Sequence, residues 1–387
     1  MQYLNVDIEE LKRKGGFFTA SEISGQPELW KKTASLIRDK QDEIGHFLND
    51  ALSDAKKIVL TGAGTSAYIG LSLRGSFLRN LHVCADSVPT TDLITHPGDY
   101  FTKEESVLLV SFARSGDSPE SVAALMVAEK FCKKCYHLIV TCNPDGALVK
   151  FKTTYPVLRV VLPVGSNDKG LAMTGSYSSM LLTGLLIARL TELETLFPQI
   201  ERVCNYGNQV LRVYTDKLHL LAKKDFNRAV FIGSGPLFGT VTESHLKLQE
   251  LTDGQIICKN ETFMGFRHGP KAVIDTKTIV FYVFSNNPFV NKYEKDLVES
   301  VRKGKMPLAQ IGICESNELL ADCNCDLMIE FSVDRLHVDE ELLAVCSILP
   351  AQIISFFKSM ELGLHPDNPS VSGAISRVVE NVNIYNI

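Results

Sequence analysis

The short segment Arg114–Ser118, which lies between an apolar run and a proline, has the side chains of an anion-binding loop. It reads R-S-G-D-S after the run VLLVSFA, and Pro119 follows as a preferred first residue of a helix. The hydroxyls of Ser115 and Ser118, the backbone N–H groups around a glycine and the helix N-terminus favour a phosphate. Arg114 adds a positive charge. The alternative is that Ser118 only caps the helix and that Arg114 lies in solvent.

A second glycine-containing turn has the sequence TGAGTSAYIG. It satisfies a loose G-x-G-x-x-A dinucleotide pattern through Gly64, and Asp86 follows at about the spacing (~20 residues) of a ribose-binding acid. A nicotinamide cofactor is therefore one alternative. Against it, Thr65 and Ser66 suit a sugar hydroxyl or phosphate, and a dinucleotide domain does not need a hydroxyl cluster after a later strand. A plain glycine turn with capping hydroxyls is the remaining interpretation.

A third group of residues could carry acid–base chemistry. Glu243, Lys247 and Glu250 are spaced i, i+4 and i+7, so they share one face of a predicted helix. A sharp His-Gly-Pro turn then fixes the imidazole of His268. An enolisation needs a carboxylate base and a group that opens the sugar ring, and Glu250 with His268 would supply both. A solvated stripe of ion pairs is the alternative for the helix. The intervening loop also carries Glu261 and Arg267.

Strand and helix segments alternate along most of the chain, which predicts parallel, doubly wound sheets. The first half has strand-like segments at 56–62, 106–112, 136–142 and 157–163, and helical segments at 119–133 and 176–193. The motif IVLTGAGTSAYIG then recurs as AVFIGSGPLFG about 171 residues later, which indicates a duplicated domain. The second copy continues with strands at 278–284, 308–314 and 326–331 and a helix at about 340–362.

These patterns predict an α/β protein built from two tandem doubly wound domains. The predicted parts are a helical extension at 1–50, a first domain at 51–198, a second domain at 215–363 and a tail at 364–387 that folds over the site. The second-repeat loop that corresponds to Arg114–Ser118 is Ser285–Pro288, which lacks the S-G-x-S arrangement and the arginine. We therefore expect the first repeat to bind the anion.

Composition excludes several classes of protein. The 387 residues carry a net charge of −5, 45% of them are hydrophobic, and the sequence pI is about 6.0, so a basic nucleic-acid surface is not expected. The N-terminus has no apolar signal-like core, and no charge-free apolar run of about 18 residues occurs, so we expect a cytoplasmic protein with no membrane partner. Cys132 and Cys135 form a CxxC without a companion pair, so neither a metal site nor a redox site is expected.

The motifs resemble those of tandem SIS-domain proteins. The chain is similar over nearly its full length to the AgaS family, and more distantly to the isomerase half of glucosamine-6-phosphate synthase. The motifs that carry the AgaS resemblance are TASEISGQPELW, LKLQELTDG, GFRHGPKAVID and PDNPSVSG followed by RVVENVNIY. By this resemblance, the fold is a pair of SIS domains, and Gly64, Thr65 and Ser66 with the Arg114–Ser118 loop hold the sugar and its phosphate.

The resemblance also implies a reaction. Glu250 would move the proton between C1 and C2, with Lys247 beside it, and His268 would open the ring. Arg377 stands in the tail where the synthase-like proteins carry a lysine, and an arginine cannot form a Schiff base. The implied reaction converts galactosamine 6-phosphate to tagatose 6-phosphate and ammonia, without a cofactor or metal. Aldose/ketose isomerisation without deamination remains the alternative.

The resemblance further implies a homodimer or higher homo-oligomer in which His268 reaches the neighbouring subunit's site. A different class of function is a sugar-phosphate-sensing regulator, because SIS domains also occur in regulators. Residues 1–50 hold nine acids against seven bases and so do not resemble a DNA-binding headpiece. The retained Glu250 and His268 favour an enzyme.

Overall fold

The computed structural model describes residues 2–379 and 382–385, and these residues divide into two compact units. The first-sheet unit comprises Glu28–Asp168, Met173–Ile200 and the segment from Ile375 onwards. The second-sheet unit comprises the N-terminal segment through Pro27, Lys169–Ala172 and Glu201–Ala374. Residues 380, 381, 386 and 387 of the predicted tail, and Met1 of the predicted extension, lie outside the described residues.

The regular elements follow the predicted alternation. The strands of the first half are β1 (Gln2–Tyr3), β2 (Val6–Asp7), β3 (Lys57–Thr61), β4 (Cys84–Ser87), β5 (Ser106–Ala113), β6 (Lys134–Thr141) and β7 (Val157–Val161). Its helices are α1 (Ile8–Arg13), α2 (Phe17–Asp39), α3 (Gln41–Asp54), α4 (Thr65–Leu81), α5 (Thr90–Thr95), α6 (Pro119–Phe131), α7 (Ala147–Lys150), α8 (Gly175–Ala188) and α9 (Leu193–Val213). The N-terminal extension is thus helical except for the short β1–β2 hairpin.

The second half repeats the pattern. Its strands are β8 (Arg228–Ile232), β9 (Ile257–Glu261), β10 (Thr278–Val283), β11 (Ala309–Cys314) and β12 (Leu327–Glu330). Its helices are α10 (Thr215–Ala222), α11 (Leu237–Leu251), α12 (Phe263–Phe266), α13 (Pro288–Arg302), α14 (Glu340–Cys346) and α15 (Leu349–Glu361). The predicted helix at 340–362 is divided at Ser347 and Ile348, just before Pro350, whose ring suits the first turn of a new helix.

The described residues of the first-sheet unit form a five-stranded parallel sheet in the order β4-β3-β5-β6-β7. The chain runs from β3 outwards to β4 and then returns to the other side of β3 as β5. The strand order therefore reverses between β3 and β5, and ligands of doubly wound sheets bind at the carboxyl ends of the strands at such a point. Strand β5 is buried along its whole length, as expected for the centre of such a sheet.

The described residues of the second-sheet unit form a five-stranded parallel sheet in the order β12-β11-β10-β8-β9. Its strand order again reverses next to the first strand, between β8 and β10, so the two sheets share one topology. Strands β3 and β8 begin 171 residues apart in the sequence. The fold confirms the prediction of two doubly wound parallel-sheet domains.

One stretch of helix in the described part of the chain, Glu340–Glu361, is long and apolar enough to cross a membrane. Its apolar window is entirely buried within the protein. That burial is typical of a core helix.

Candidate active site

The Arg114–Ser118 loop follows the last residue of β5, at the reversal point of the first sheet. Pro119 occupies the first position of α6 and Ser118 the N-cap position, as the sequence predicts. Gly116 has a φ of +67°, in the left-handed region that favours glycine. The loop therefore changes direction at Gly116 and delivers its backbone to the N-terminus of α6.

The backbone N–H groups of Ser115, Gly116 and Ser118 make no hydrogen bond with any of the described residues. The Ser118 hydroxyl does not bond to the α6 backbone either, because it pairs with Oγ of Ser121 at 2.6 Å. Ser118 thus has the position of a cap without its side-chain bond. Adjacent unsatisfied amides at a helix N-terminus form a site that favours an anion.

Arg114 is buried, with 7% of its surface exposed, so it does not lie in solvent. Its Nη2 donates to the backbone carbonyl of Arg377. The Arg377 guanidinium itself bonds away from the loop, with Nε donating to the carbonyl of Asp168 at 2.8 Å and Nη2 donating to Oδ1 of Asn167 at 2.6 Å. The structure therefore brings the two predicted arginines together through one backbone carbonyl, and Arg377 anchors the tail.

The second glycine-containing turn lies beside this loop. Helix α4 begins at Thr65, directly after Gly64 with its φ of +55°, and both Thr65 and Ser66 are buried. Because β3 and β5 are neighbouring parallel strands, with Thr61 in register with Ser111, the turns that follow them lie at the same edge of the sheet. The two predicted binding segments are therefore adjacent, on either side of the point where the strand order reverses.

The dinucleotide interpretation needs a carboxylate at the end of β4 that is able to bind a ribose. Asp86 instead forms an ion pair with the amino group of Lys57 at 2.8 Å. Lys57 is the first residue of β3 and so lies at the amino ends of the strands, away from the glycine turn. The geometry therefore favours the sugar-phosphate interpretation of the Gly64–Ser66 turn.

Three of the predicted residues, Glu243, Lys247 and Glu250, lie on α11 in the second-sheet unit. The Lys247 side chain is 1% exposed, and its Nζ lies 3.2 Å from Oε1 of Glu243 and 2.5 Å from Oε2 of Glu250. Burial alone would lower the pKa of Lys247, but the two carboxylates outweigh it and raise that pKa, so the ammonium form persists. The stripe is therefore not a solvated surface feature. Glu250 is the accessible member, with 23% of its side chain exposed.

Two further polar residues, which were not predicted, bond to Thr242 on the same helix as Glu250. His245 donates from Nδ1 to the carbonyl of Thr242, and burial lowers the pKa of the imidazole, which favours the neutral ring. Asn260 donates from Nδ2 to the Thr242 hydroxyl at 2.8 Å. Asn260 lies on β9, which pairs with β8 beside α11. The segment I-C-K-N-E has no apolar alternation, so the sequence did not mark it as a strand.

His268 lies in the turn between α12 and the short 3₁₀ helix Pro270–Val273. Phe263 and Phe266 anchor α12 in the core, whereas His268 is exposed, and its ring has no hydrogen-bond partner among the described residues. The turn thus presents an imidazole at the surface of the second-sheet unit. Glu261 is held differently, since its Oε1 accepts from the Thr262 amide at 3.0 Å.

The second repeat uses its corresponding loop in another way. Both oxygens of Glu294 lie 3.2 Å from the Ser285 amide nitrogen, and Oε2 also accepts from Asn291 Nδ2 at 2.8 Å. Asn287 caps α13 by accepting from the Phe289 amide at 2.9 Å. In this repeat the Ser285 amide therefore already donates a hydrogen bond to a side chain of the protein, Glu294.

The cysteines and a cavity along α9 do not form a competing site. Cys132 and Cys135 are buried, and their mutual hydrogen bond and burial raise the pKa of Cys135. The described residues contain no cluster of three or more His, Cys, Asp or Glu side chains that could hold a metal. A cavity of about 400 Å³ along α9, beside Arg202 and Tyr206, contains none of the predicted site residues.

Comparison with known proteins places this chain in a family. The SIS domain model matches residues 51–190. A Shewanella protein called D-galactosamine-6-phosphate deaminase AgaS is 34% identical, over 99% of this chain and 95% of its own length. The chain belongs to the AgaS family of SIS-domain proteins. Membership confirms the family resemblance and the expectation of an enzyme.

Solved structures agree with this assignment. A Clostridium novyi protein, provisionally described as a tagatose-6-phosphate ketose/aldose isomerase, superposes with a TM-score of 0.96 at 38% identity over 100% of both chains. An Escherichia coli protein called tagatose-6-phosphate ketose/aldose isomerase superposes with a TM-score of 0.85 at 31% identity, over 96% of this chain and 97% of its own.

The distant resemblance is confirmed as well. The glutamine–fructose-6-phosphate aminotransferase of Pyrobaculum aerophilum is 22% identical over 93% of this chain, which spans 58% of that longer protein.

Proposed function

We propose that this member of the AgaS family converts galactosamine 6-phosphate and water to tagatose 6-phosphate and ammonia. The observation that carries the proposal is the partly exposed carboxylate of Glu250, held by the buried ammonium of Lys247. A proton transfer between adjacent carbons needs one accessible base in a fixed position. The deaminase name of the Shewanella relative and the isomerase name of the Escherichia coli relative are both consistent with a reaction that includes this transfer.

Binding would begin at the phosphate. Three amides of the Arg114–Ser118 loop that have no partner among the described residues, together with the N-terminus of α6, offer donors and a positive dipole end. Thr65 and Ser66 lie at the same sheet edge, where they would contact the phosphate or a sugar hydroxyl. Arg114 would contribute its positive charge. Its guanidinium bonds to the backbone carbonyl of Arg377 in the tail, and the Arg377 side chain holds the tail in place through the carbonyl of Asp168.

The chemistry would follow in three steps. His268 assists opening of the ring, which yields the C1 aldehyde and the C2 amine. Glu250 removes the C2 proton while the aldehyde oxygen O1 takes up a proton, which forms an enaminol. Glu250 then returns a proton to C1 while the amine nitrogen loses one, which leaves a hydroxymethyl group at C1 and an imine at C2. Water adds to the imine carbon and ammonia leaves, so the C2 ketone of tagatose 6-phosphate remains. The nitrogen that passes through the imine belongs to the substrate, because Arg377 cannot form one.

Isomerisation without deamination is the second candidate, and the name of the Escherichia coli relative supports it. The two functions share ring opening and C1/C2 proton transfer and differ only in whether ammonia is released. The test supplies galactosamine 6-phosphate, glucosamine 6-phosphate and tagatose 6-phosphate in parallel, and measures ammonia and ketose separately. Ammonia from galactosamine 6-phosphate supports the proposal. Turnover of tagatose 6-phosphate with no ammonia from either amino sugar would leave only the isomerase.

The proposal includes a cytoplasmic homodimer or larger homo-oligomer. The support is the exposed position of His268, which leaves its ring accessible to a second copy of the chain.

A further inference from the structure

The segment that follows β6 is hydrogen-bonded to the Arg114–Ser118 loop. Asn143 Nδ2 donates to the carbonyl of Ser115 at 2.8 Å and to Oδ2 of Asp117 at 3.2 Å. Asp117 Oδ1 accepts from the amide of Ala147 at 2.9 Å. The amide of Leu148 donates to the carbonyl of Gly116 at 2.9 Å. Four hydrogen bonds thus join the Arg114–Ser118 loop to Asn143 of the β6–α7 loop and to the first two residues of α7.

These hydrogen bonds fix the orientation of the peptide groups of Ser115 and Gly116. The Ser115 carbonyl is bonded to Asn143 of the β6–α7 loop and the Gly116 carbonyl to Leu148 of α7, while the amides of Ser115 and Gly116 have no partner among the described residues. With Gly116 in the left-handed region, this is the arrangement in which successive N–H groups form an anion-binding concavity. The carbonyl contacts keep negative dipole ends out of that concavity.

Gly146 makes the close approach possible. A Cβ atom at Gly146 would lie 2.5 Å from the carbonyl oxygen of Ser115 and 3.2 Å from Cα of Gly116. Both contacts are with backbone, which cannot move aside without changing the loop. The two loops are therefore packed as well as bonded.

We propose that Asn143 and Asp117 are positioning residues, which shape the Arg114–Ser118 loop for phosphate without touching the phosphate themselves. The proposal rests on the proposed function, since it takes this loop as the phosphate site. Asn143 orients the Ser115 carbonyl away from the ligand, and Asp117 ties Asn143 to the start of α7. The second repeat supports this division of roles, because there the Ser285 amide is already bonded to Glu294.

The test compares Asn143→Ala and Asp117→Asn with the parent enzyme. Asp117→Asn retains one oxygen for the Ala147 amide but replaces the acceptor that faces Asn143, so it is the milder change. We expect KM for the sugar phosphate to rise about 10-fold in Asn143→Ala, with kcat within about twofold, because the loss is of uniform binding. The dissociation constant for inorganic phosphate, measured by calorimetry, should rise by about the same factor.

Asn287→Ala is the matched control. It removes an Asn side-chain bond at the corresponding loop of the second repeat, so it should lower thermal stability without changing phosphate affinity. Ser118→Ala tests the phosphate site itself.

The outcomes separate the two proposals. Weaker phosphate binding in Ser118→Ala, with unchanged binding in both Asn143→Ala and Asp117→Asn, would overturn the positioning role and leave the phosphate site in place. Unchanged binding in all three would overturn both. If Asn143→Ala does not fold, the folded Asp117→Asn variant decides, and its phosphate affinity must fall more than that of Asn287→Ala.

Discussion

The ammonium nitrogen of Lys247 lies 2.5 Å from Oε2 of Glu250, on a lysine side chain that is 1% exposed. A buried lysine that bridges two carboxylates of its own helix leaves one of them, Glu250, partly open to a ligand. The arrangement fixes the position of a base while its charge is compensated. We therefore expect a change of Glu250 to affect catalysis and a change of Lys247 to affect stability.

Replacing the base should remove turnover and retain binding. Glu250→Gln preserves the size of the side chain but cannot accept the C2 proton, so kcat should fall by about 10²–10⁴-fold. The Kd for the sugar phosphate should stay within a fewfold, since a base acts mainly in the transition state. Steady-state kinetics with calorimetry of the variant provide the measurement. Glu299→Gln, on the exposed face of α13, is the control and should retain parent activity. Full activity in Glu250→Gln would contradict the assignment.

Replacing the support should affect stability first. Lys247→Met leaves two carboxylates without their shared cation, and breaking such a buried pair costs about 3–5 kcal/mol. Lys303→Met is a matched control, because Lys303 also pairs at i,i+4 over 3.2 Å but is 75% exposed. Its loss should be below about 1 kcal/mol. Urea unfolding of both variants measures the difference, and equal losses would show that burial of Lys247 does not matter.

The spacing of the charges on α11 was readable in the sequence, but their burial was not. Charges at i, i+4 and i+7 are typical of solvated helix faces, but α11 packs against α15, β9 and β8, and Lys247 is buried in the folded protein. The parallel, doubly wound character of the two sheets followed from the strand–helix alternation, but the order of the strands was not predicted. Strand β9 could not be predicted, because its residues are mostly polar and it exists through its pairing with β8.

The contacts of the Arg114–Ser118 loop could also be predicted only in part from the sequence. Its residue types predicted an anion site, yet Ser118 at the N-cap position makes no cap bond, because Ser121 lies within reach of its hydroxyl. The partner of Arg114 could not be predicted either. The carbonyl of Arg377 is 263 residues away in the chain, and the local sequence contains no signal of such a contact.

Removing phosphate contacts should raise KM selectively. Arg114→Ala and Ser118→Ala should each weaken the binding of phosphorylated sugars by about 1.5–3 kcal/mol, the range for charge-assisted hydrogen bonds. The measurement is KM for the sugar phosphate, together with competition by inorganic phosphate. Arg202→Ala, which breaks an exposed ion pair with Asp334 in the second-sheet unit, is the control with unchanged KM. Parent-like KM in both loop variants would place the phosphate elsewhere.

Glu294 should make stability depend on pH. Burial is the main influence on the Glu294 carboxyl and, together with the charge of Glu340, raises its pKa to about 7, although bonds from Asn291 and Ser285 oppose the shift. Its folded-state pKa exceeds its unfolded value, so the folded state binds more protons, and stability is lost as pH rises from about 4.5 to about 7. The cost reaches up to about 3 kcal/mol above that window.

Glu294→Gln removes this titration. The difference in unfolding free energy between the variant and the parent should therefore grow in favour of the variant from pH 5 to pH 7 and then level off. Urea unfolding at about six pH values measures it, within the range in which both proteins unfold reversibly. Glu299→Gln serves as the exposed control from the same helix. A constant difference across the range would show that Glu294 is charged throughout.

Shared active sites would make two inactive variants complement each other. His268 is exposed on the second-sheet unit, and we propose that it acts in the site of a neighbouring subunit, whereas Glu250 acts in its own. Glu250→Gln and His268→Ala should each be inactive alone. After subunit exchange, about half of a dimeric population would be heterodimers, each with one site that contains both intact residues. About a quarter of all sites should then be active. Exchange is confirmed by mass-tagging one variant, and activity is measured on the mixture. If both residues came from one chain, every site in the mixture would carry a defect, and activity would stay at the level of the separate variants.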